Sequence, residues 1–133
     1  LAARTYVDLP RTHPETFRLV SLLLGDPRLL IKDDEAMRTA PLVGAFLGDV
    51  HVLFARAAEA KALAAEHGPE HRTLVMWSTL HGLTQLEKLR RLAPGSPDAS
   101  SLADTATAAL LRGFGADPAH VTRAMRAAET PAA

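Results

Sequence analysis

Between Pro69 and Pro94 the chain carries no proline, and the run PEHRTLVMWSTLHGLTQLEKLRRL limits its possible folds more than any other segment. Pro69 suits a first helical position, where its missing N–H costs nothing. Pro94 and Gly95 stop the helix. A helix from Pro69 to Leu92 is about 36 Å long at about 1.5 Å per residue. At about 100° per residue, Met76, Trp77, Leu80 and Leu83 fall on one side. Val75, Leu86 and Leu89 fall on the other, beside the small residues Ser78 and Gly82. A surface helix has one apolar stripe, whereas one that is apolar nearly all round is covered on both sides. Only Glu87, Lys88, Arg90 and Arg91 make a solvated section. This helix therefore separates two different contacts.

The other segments supply partners for it. Leu1 to Leu9 reads as the tail of a helix with Tyr6 and Leu9 facing inward, and Pro10 and Pro14 mark a break. Pro14 opens a helix with Phe17, Val20 and Leu24 on its apolar face, and Gly25 ends it. Asp26-Pro27 caps a short turn through Leu29 to Ile31, and Lys32 to Glu35 is a polar connection leading into Met37. Pro41 starts or kinks a long helix to about His67, with Gly68 as its C-cap residue. Its stripe is Val43, Phe46, Leu47, Val50, Leu53, Phe54 and Ala57. Ser96 is placed as the N-cap of a helix from Pro97 to Phe114, with the stripe Leu102, Ala106, Ala109, Leu110 and Gly113. Small residues there let another helix approach closely. Asp117-Pro118 opens a last helix to about Ala128, and Glu129 to Ala133 fray. The expectation is one all-α domain over residues 1–133, a bundle of five or six helices with short connections. Abundant Ala and Leu favour it.

Several kinds of chemistry are excluded or unsupported. There is no cysteine, so neither a disulfide nor a thiolate site can form, which suits a reducing cytoplasm. The formal net charge is zero over 133 residues, unlike the basic footprint of a nucleic-acid-binding surface. Asp49, His51 and Arg56 interrupt the longest apolar runs, so no segment spans a membrane. His67 and His71 are separated by Gly68-Pro69 and do not share a helix face, as a helical metal pair requires. Ser78 precedes His81 by one turn, but no strained nucleophile turn or oxyanion loop accompanies them. No enzyme, metal site or cofactor is expected. His81 itself, mid-helix on an apolar section, is either a core histidine bonded to a neighbour or a polar group in a ligand pocket.

One pattern goes further. The run LVMWSTLHGLTQLEKL, with Trp77 followed by His81-Gly82, resembles a segment in the C-terminal domains of TetR-type bacterial transcriptional regulators. TYVDLPRTHPETFRLV, with Tyr6, His13-Pro14 and Phe17, and ALLRGFGA resemble two further segments of that family in the same order, so the resemblance covers about Leu1 to Ala116. It implies a helical effector-binding and dimerisation domain in which the last two long helices pair with their copies, with an effector pocket on the other side of the first of them. The helix-turn-helix DNA-binding domain of the family is expected before Leu1 and is absent from this chain, so DNA would be contacted only through that missing part. The last helix, Asp117 to Ala128, is an extension that the family does not always have.

On this reading Phe17, Phe46, Val50, Phe54, Met76, Trp77, Leu80, His81 and Thr84 surround a mainly apolar cavity for a small-molecule effector. Asp49, near the edge of its stripe, either favours a cationic ligand or faces water. Ser78, Gly82 and Leu89, with Leu102, Ala106, Ala109, Leu110 and Gly113, form the face of a homodimer. Two other readings stand beside it: a structural dimerisation module whose pocket its own side chains fill, and a small helical enzyme or cofactor carrier.

Overall fold

Proline sets where some of the helices begin, but not at every position the sequence suggests. The computed structural model describes residues 2–22, 33–86 and 92–129, except the side chains of residues 33–36, 39, 40, 42, 43, 46 and 129. Every regular element among them is helical. These are α1 (Ala2–Thr12), α2 (Pro14–Val20), α3 (Asp33–Glu59), α4 (Pro69–Leu86), α5 (Ala99–Gly113) and α6 (Pro118–Glu129). The expected turn at Leu29 to Ile31, the stop at Gly25 and the solvated end at Glu87 to Arg91 lie outside the described residues.

Pro10 does not break α1, contrary to expectation. Near a helix end it removes only one ladder bond, and the next bond is made, His13 N–H to the Leu9 carbonyl at 2.8 Å. The break falls at His13, with φ −140° and ψ 67°, because the residue before a proline is pushed out of the helical region. Of the two expectations for Pro41 the start does not hold, since it lies inside α3, and helix from Asp33 replaces most of the polar connection expected over Lys32 to Glu35. The N-cap of α5 is Asp98, not Ser96: its carboxylate accepts the Ser101 N–H at 2.8 Å. Asp117 does the same for α6, accepting from Ala119 and His120 at 2.7 and 2.9 Å.

The largest correction concerns the end of α3, which stops at Glu59 and not near His67. Lys61 N–H returns to the Ala58 carbonyl and Ala62 N–H to the Ala57 carbonyl, both at 2.9 Å. This is the reversed-turn cap usually built on glycine, here with Lys61 at φ 54°. Beyond it, Ala64 N–H donates to the Phe114 carbonyl at 2.8 Å. The local cap and this one tertiary bond outweigh the helix propensity of the Ala, Glu and Lys run. Gly115 occupies the same position after α5, at φ 88°, pressed against Ala64.

The central helix α4 packs against α3, α5 and α1, while α1 also packs on α5 and α2, and α6 on α5. The core joins Val7, Phe54, Met76, Leu80, Ala103 and Phe114. Phe54 and Phe114 meet edge to face with centroids 5.7 Å apart. Ala103 is completely buried where α5 carries the Arg4–Asp104 ion pair to α1, whose Nη2–Oδ2 distance is 2.6 Å.

A side chain in the left-handed region costs about 1 kcal/mol that glycine avoids. Lys61→Gly should therefore raise stability by about 0.5–1 kcal/mol. Gly115→Ala should lower it by more than about 2 kcal/mol, since the new Cβ would lie 2.6 Å from that of Ala64. Urea melts of the two variants beside the parent chain test the contrast, and a destabilised Lys61→Gly would refute the assigned cap.

Candidate functional site

Helical spacing brings one face of each of four helices to a shared space. α1 presents Ala2, Ala3, Tyr6 and Leu9, and α3 presents Leu47, Asp49, Val50, Leu53, Phe54 and Ala57. α4 adds Thr73, Met76, Trp77 and Leu80, and α5 adds Thr107 and Leu111. With Leu63 from the α3–α4 connection, they enclose a cavity of about 720 Å³. That is within the usual range for small-molecule sites, and so is the predominance of apolar walls. Leu53 is 59% exposed and Asp49 is exposed, so the cavity reaches the surface along α3.

Among the polar groups of the wall Thr73, Tyr6 and Trp77 are engaged, whereas the buried Thr107 hydroxyl has no partner among the described residues. Thr73 donates its hydroxyl to the Pro69 carbonyl at 2.8 Å, one turn back. The Tyr6 oxygen accepts the Trp77 indole N–H at 3.1 Å and lies 2.9 Å from His81 Nδ1. An indole nitrogen only donates, so the Tyr6 oxygen is the acceptor toward Trp77, and which of Tyr6 and His81 Nδ1 donates to the other follows the His81 tautomer. Burial pushes the Tyr6 hydroxyl up to about 12, the indole bond opposing it in part. Burial also lowers the His81 pKa, because it disfavours the imidazolium.

Of the residues expected around the cavity, Val50, Phe54, Met76, Trp77 and Leu80 are in its wall. Three are not. His81 lies behind the wall, its ring stacked on Trp77 at 5.1 Å and on Phe17 at 5.6 Å. It is one residue past Leu80, about 100° round the helix, which turns it toward α2. Phe17 is spent on that stack. Thr84 is one turn beyond Leu80, buried, with its hydroxyl on the His81 carbonyl at 2.6 Å. The Phe46 side chain lies outside the described residues. Sequence reasoning passed over Tyr6 as a wall residue, although its inward spacing with Leu9 was the signal. Leu63 carried no signal, since its segment reads as helix.

The other side of α4 is left uncovered by the described residues. Ser78 and Gly82 are exposed, and a Cβ at Gly82 would meet nothing within 4 Å. Leu74 and Leu86 extend this ridge, 48% and 41% exposed. On α5, Ala109 and Gly113 are exposed, while Leu102, Ala106 and Leu110 are half-buried, Leu110 against the core. Leu89 lies outside the described residues. His67 and His71, although not on one helix face, stack their rings at 4.4 Å. No group of three or more potential metal-ligating side chains occurs among the described residues. No described helix is long and apolar enough to cross a membrane.

A lowered His81 pKa stabilises the fold above the ordinary histidine value of about 6.5, and that contribution is lost as pH falls through the folded-state value. Trp77 is the one tryptophan and stacks on this ring. Its emission should therefore change with a midpoint below about 6.5, together with a fall in thermal midpoint. His81→Gln should abolish the step. A midpoint above the ordinary value would contradict the burial argument.

Comparison with known proteins places this arrangement. Residues 1–110 match the family model described as tetracyclin repressor-like, C-terminal domain. No curated protein and no solved structure matches the chain. With most of its length matched and all its described elements helical, the chain belongs to the tetracyclin repressor-like C-terminal domain family.

Proposed function

We propose that this chain is the effector-binding and dimerisation domain of a TetR-type transcriptional regulator, a repressor acting in a bacterial cytoplasm. The observation that carries the reading is the cavity of about 720 Å³ between α1, α3, α4 and α5, with Trp77 in its wall. Its apolar lining suits a mainly apolar small molecule, held by burial and not by a network of polar groups. DNA contact would belong to a helix-turn-helix domain of the parent protein, consistent with a formal net charge of zero here.

The second contact of α4 is a second copy of this chain. Leu74, Ser78, Gly82 and Leu86 on α4 lie on the open side of the helix, and Ala109 and Gly113 on α5 are also exposed. A two-fold interface would cover an apolar ridge that would otherwise face water. Catalysis has no support in the arrangement: Ser78 turns its hydroxyl back onto the Leu74 carbonyl, and His81 is committed to Tyr6.

Two measurements test this. Addition of uncharged apolar probes such as Nile red and decanol should alter Trp77 emission, and Trp77→Ala should weaken binding at least about tenfold, the order of one lost aromatic wall. No probe-dependent change across a chemically broad set would favour the module without a ligand site. Sedimentation should give a dimer at micromolar concentration. Ala109→Arg, at an exposed position and therefore harmless to the single chain, should give a folded monomer. A monomeric parent chain would remove the dimer.

A further inference from the structure

The charge of the cavity is as informative as its size. Among the described lining residues Asp49 is the only one with a charged side chain at neutral pH, and no arginine, lysine or histidine accompanies it. Its carboxylate has no ion-pair or hydrogen-bond partner among the described residues. Arg4 of α1 is held by Asp104 at 2.6 Å and is not in the wall. The Tyr6 and Thr73 hydroxyls are already bonded within the protein, and the Thr107 hydroxyl, buried and without a partner among the described residues, is uncharged and cannot replace a counter-cation. An anionic ligand would lose its hydration without a cation to replace it and would approach a like charge. A cation at the mouth would meet the single unbalanced carboxylate, while the apolar body behind it filled the cavity.

We propose that the ligand of this cavity is an apolar molecule bearing an amine or quaternary ammonium group, with the positive charge seated at Asp49. This rests on the reading of the cavity as the effector site and specifies its chemical class. Three probes with one apolar chain separate the two claims: decyltrimethylammonium, decanol and decanesulfonate, each below its micellar concentration and followed by Trp77 emission. The ammonium should bind about fivefold tighter than the alcohol, the scale of one exposed charge pair, with the sulfonate weakest. Asp49→Asn should bring the ammonium to the affinity of the alcohol, and added salt should shrink the preference in the parent chain. A sulfonate that binds as well as the ammonium, or a preference unchanged in Asp49→Asn, would overturn the charge assignment while alcohol binding keeps the cavity reading intact. If none of the three alters Trp77 emission or the thermal midpoint, the effector site falls and the assignment with it.

Discussion

Arg72 is the most demanding residue in this fold. Its side chain is on the first turns of α4 and only 1% exposed, inside a small apolar domain. Taking a guanidinium out of water is costly unless its charge and N–H groups are answered. Here Nη2 donates to the Ala64 carbonyl, and the cation is 5.8 Å from the Phe114 ring centroid. Nε and Nη1 have no partner among the described residues. The compensation therefore depends on Ala64 and Phe114 staying in place, and they are bonded to each other through the Ala64 N–H. Gly115 completes the junction because a side chain there would collide with Ala64. This contact holds the segment between α3 and α4 against the end of α5. It delivers Leu63 to the cavity wall and sets where α4 begins.

The junction also explains what could and could not be read from the chain. The helical class and the start of α4 followed from proline placement and periodicity, because those depend on local sterics and on a repeat carried within one segment. The end of α3 did not follow. Nothing local in an Ala, Glu and Lys run signals a stop, and Lys61 is a poor residue for a left-handed cap. The stop is imposed by Phe114 and Arg72, which are distant in sequence or on the next helix. In the same way the wall residues Val50, Phe54, Met76, Trp77 and Leu80 were legible as inward stripes, whereas the exclusion of His81 and Thr84 was not. Periodicity gives a direction round a helix but not how far along it a neighbouring helix extends.

His81 has a different place from a ligand-binding group. The Tyr6 oxygen joins α1 to two residues of α4, and the His81 ring joins α4 to Phe17 of α2. Tyr6 and Trp77 belong to the wall, while His81 and Phe17 are behind it. A molecule that shifted Trp77 would therefore disturb a chain of contacts that runs to α2 without touching α2 itself. Each link is directional, one a hydrogen bond with a fixed donor and another a ring stack. The set has few alternative arrangements of equal energy, which is the condition for passing a displacement on instead of absorbing it.

The cavity raises a question of stability that its openness answers. A sealed void of about 720 Å³ would cost roughly 17 kcal/mol at about 24 cal/mol per Å³, more than the usual stability of about 5–15 kcal/mol for a whole domain. It therefore cannot be an enclosed vacuum within an otherwise close-packed interior. Leu53 and Asp49 resolve the difficulty, since both border the cavity and both are exposed. Solvent reaches the space along α3, and the helices close on each other elsewhere, around Ala103, Val7 and Phe114. Close packing and open space are thus assigned to different parts of the same helices. Filling the cavity with an apolar molecule would replace poorly bonded water beside leucine and alanine walls, so occupancy would add to stability by mass action without requiring the core to repack.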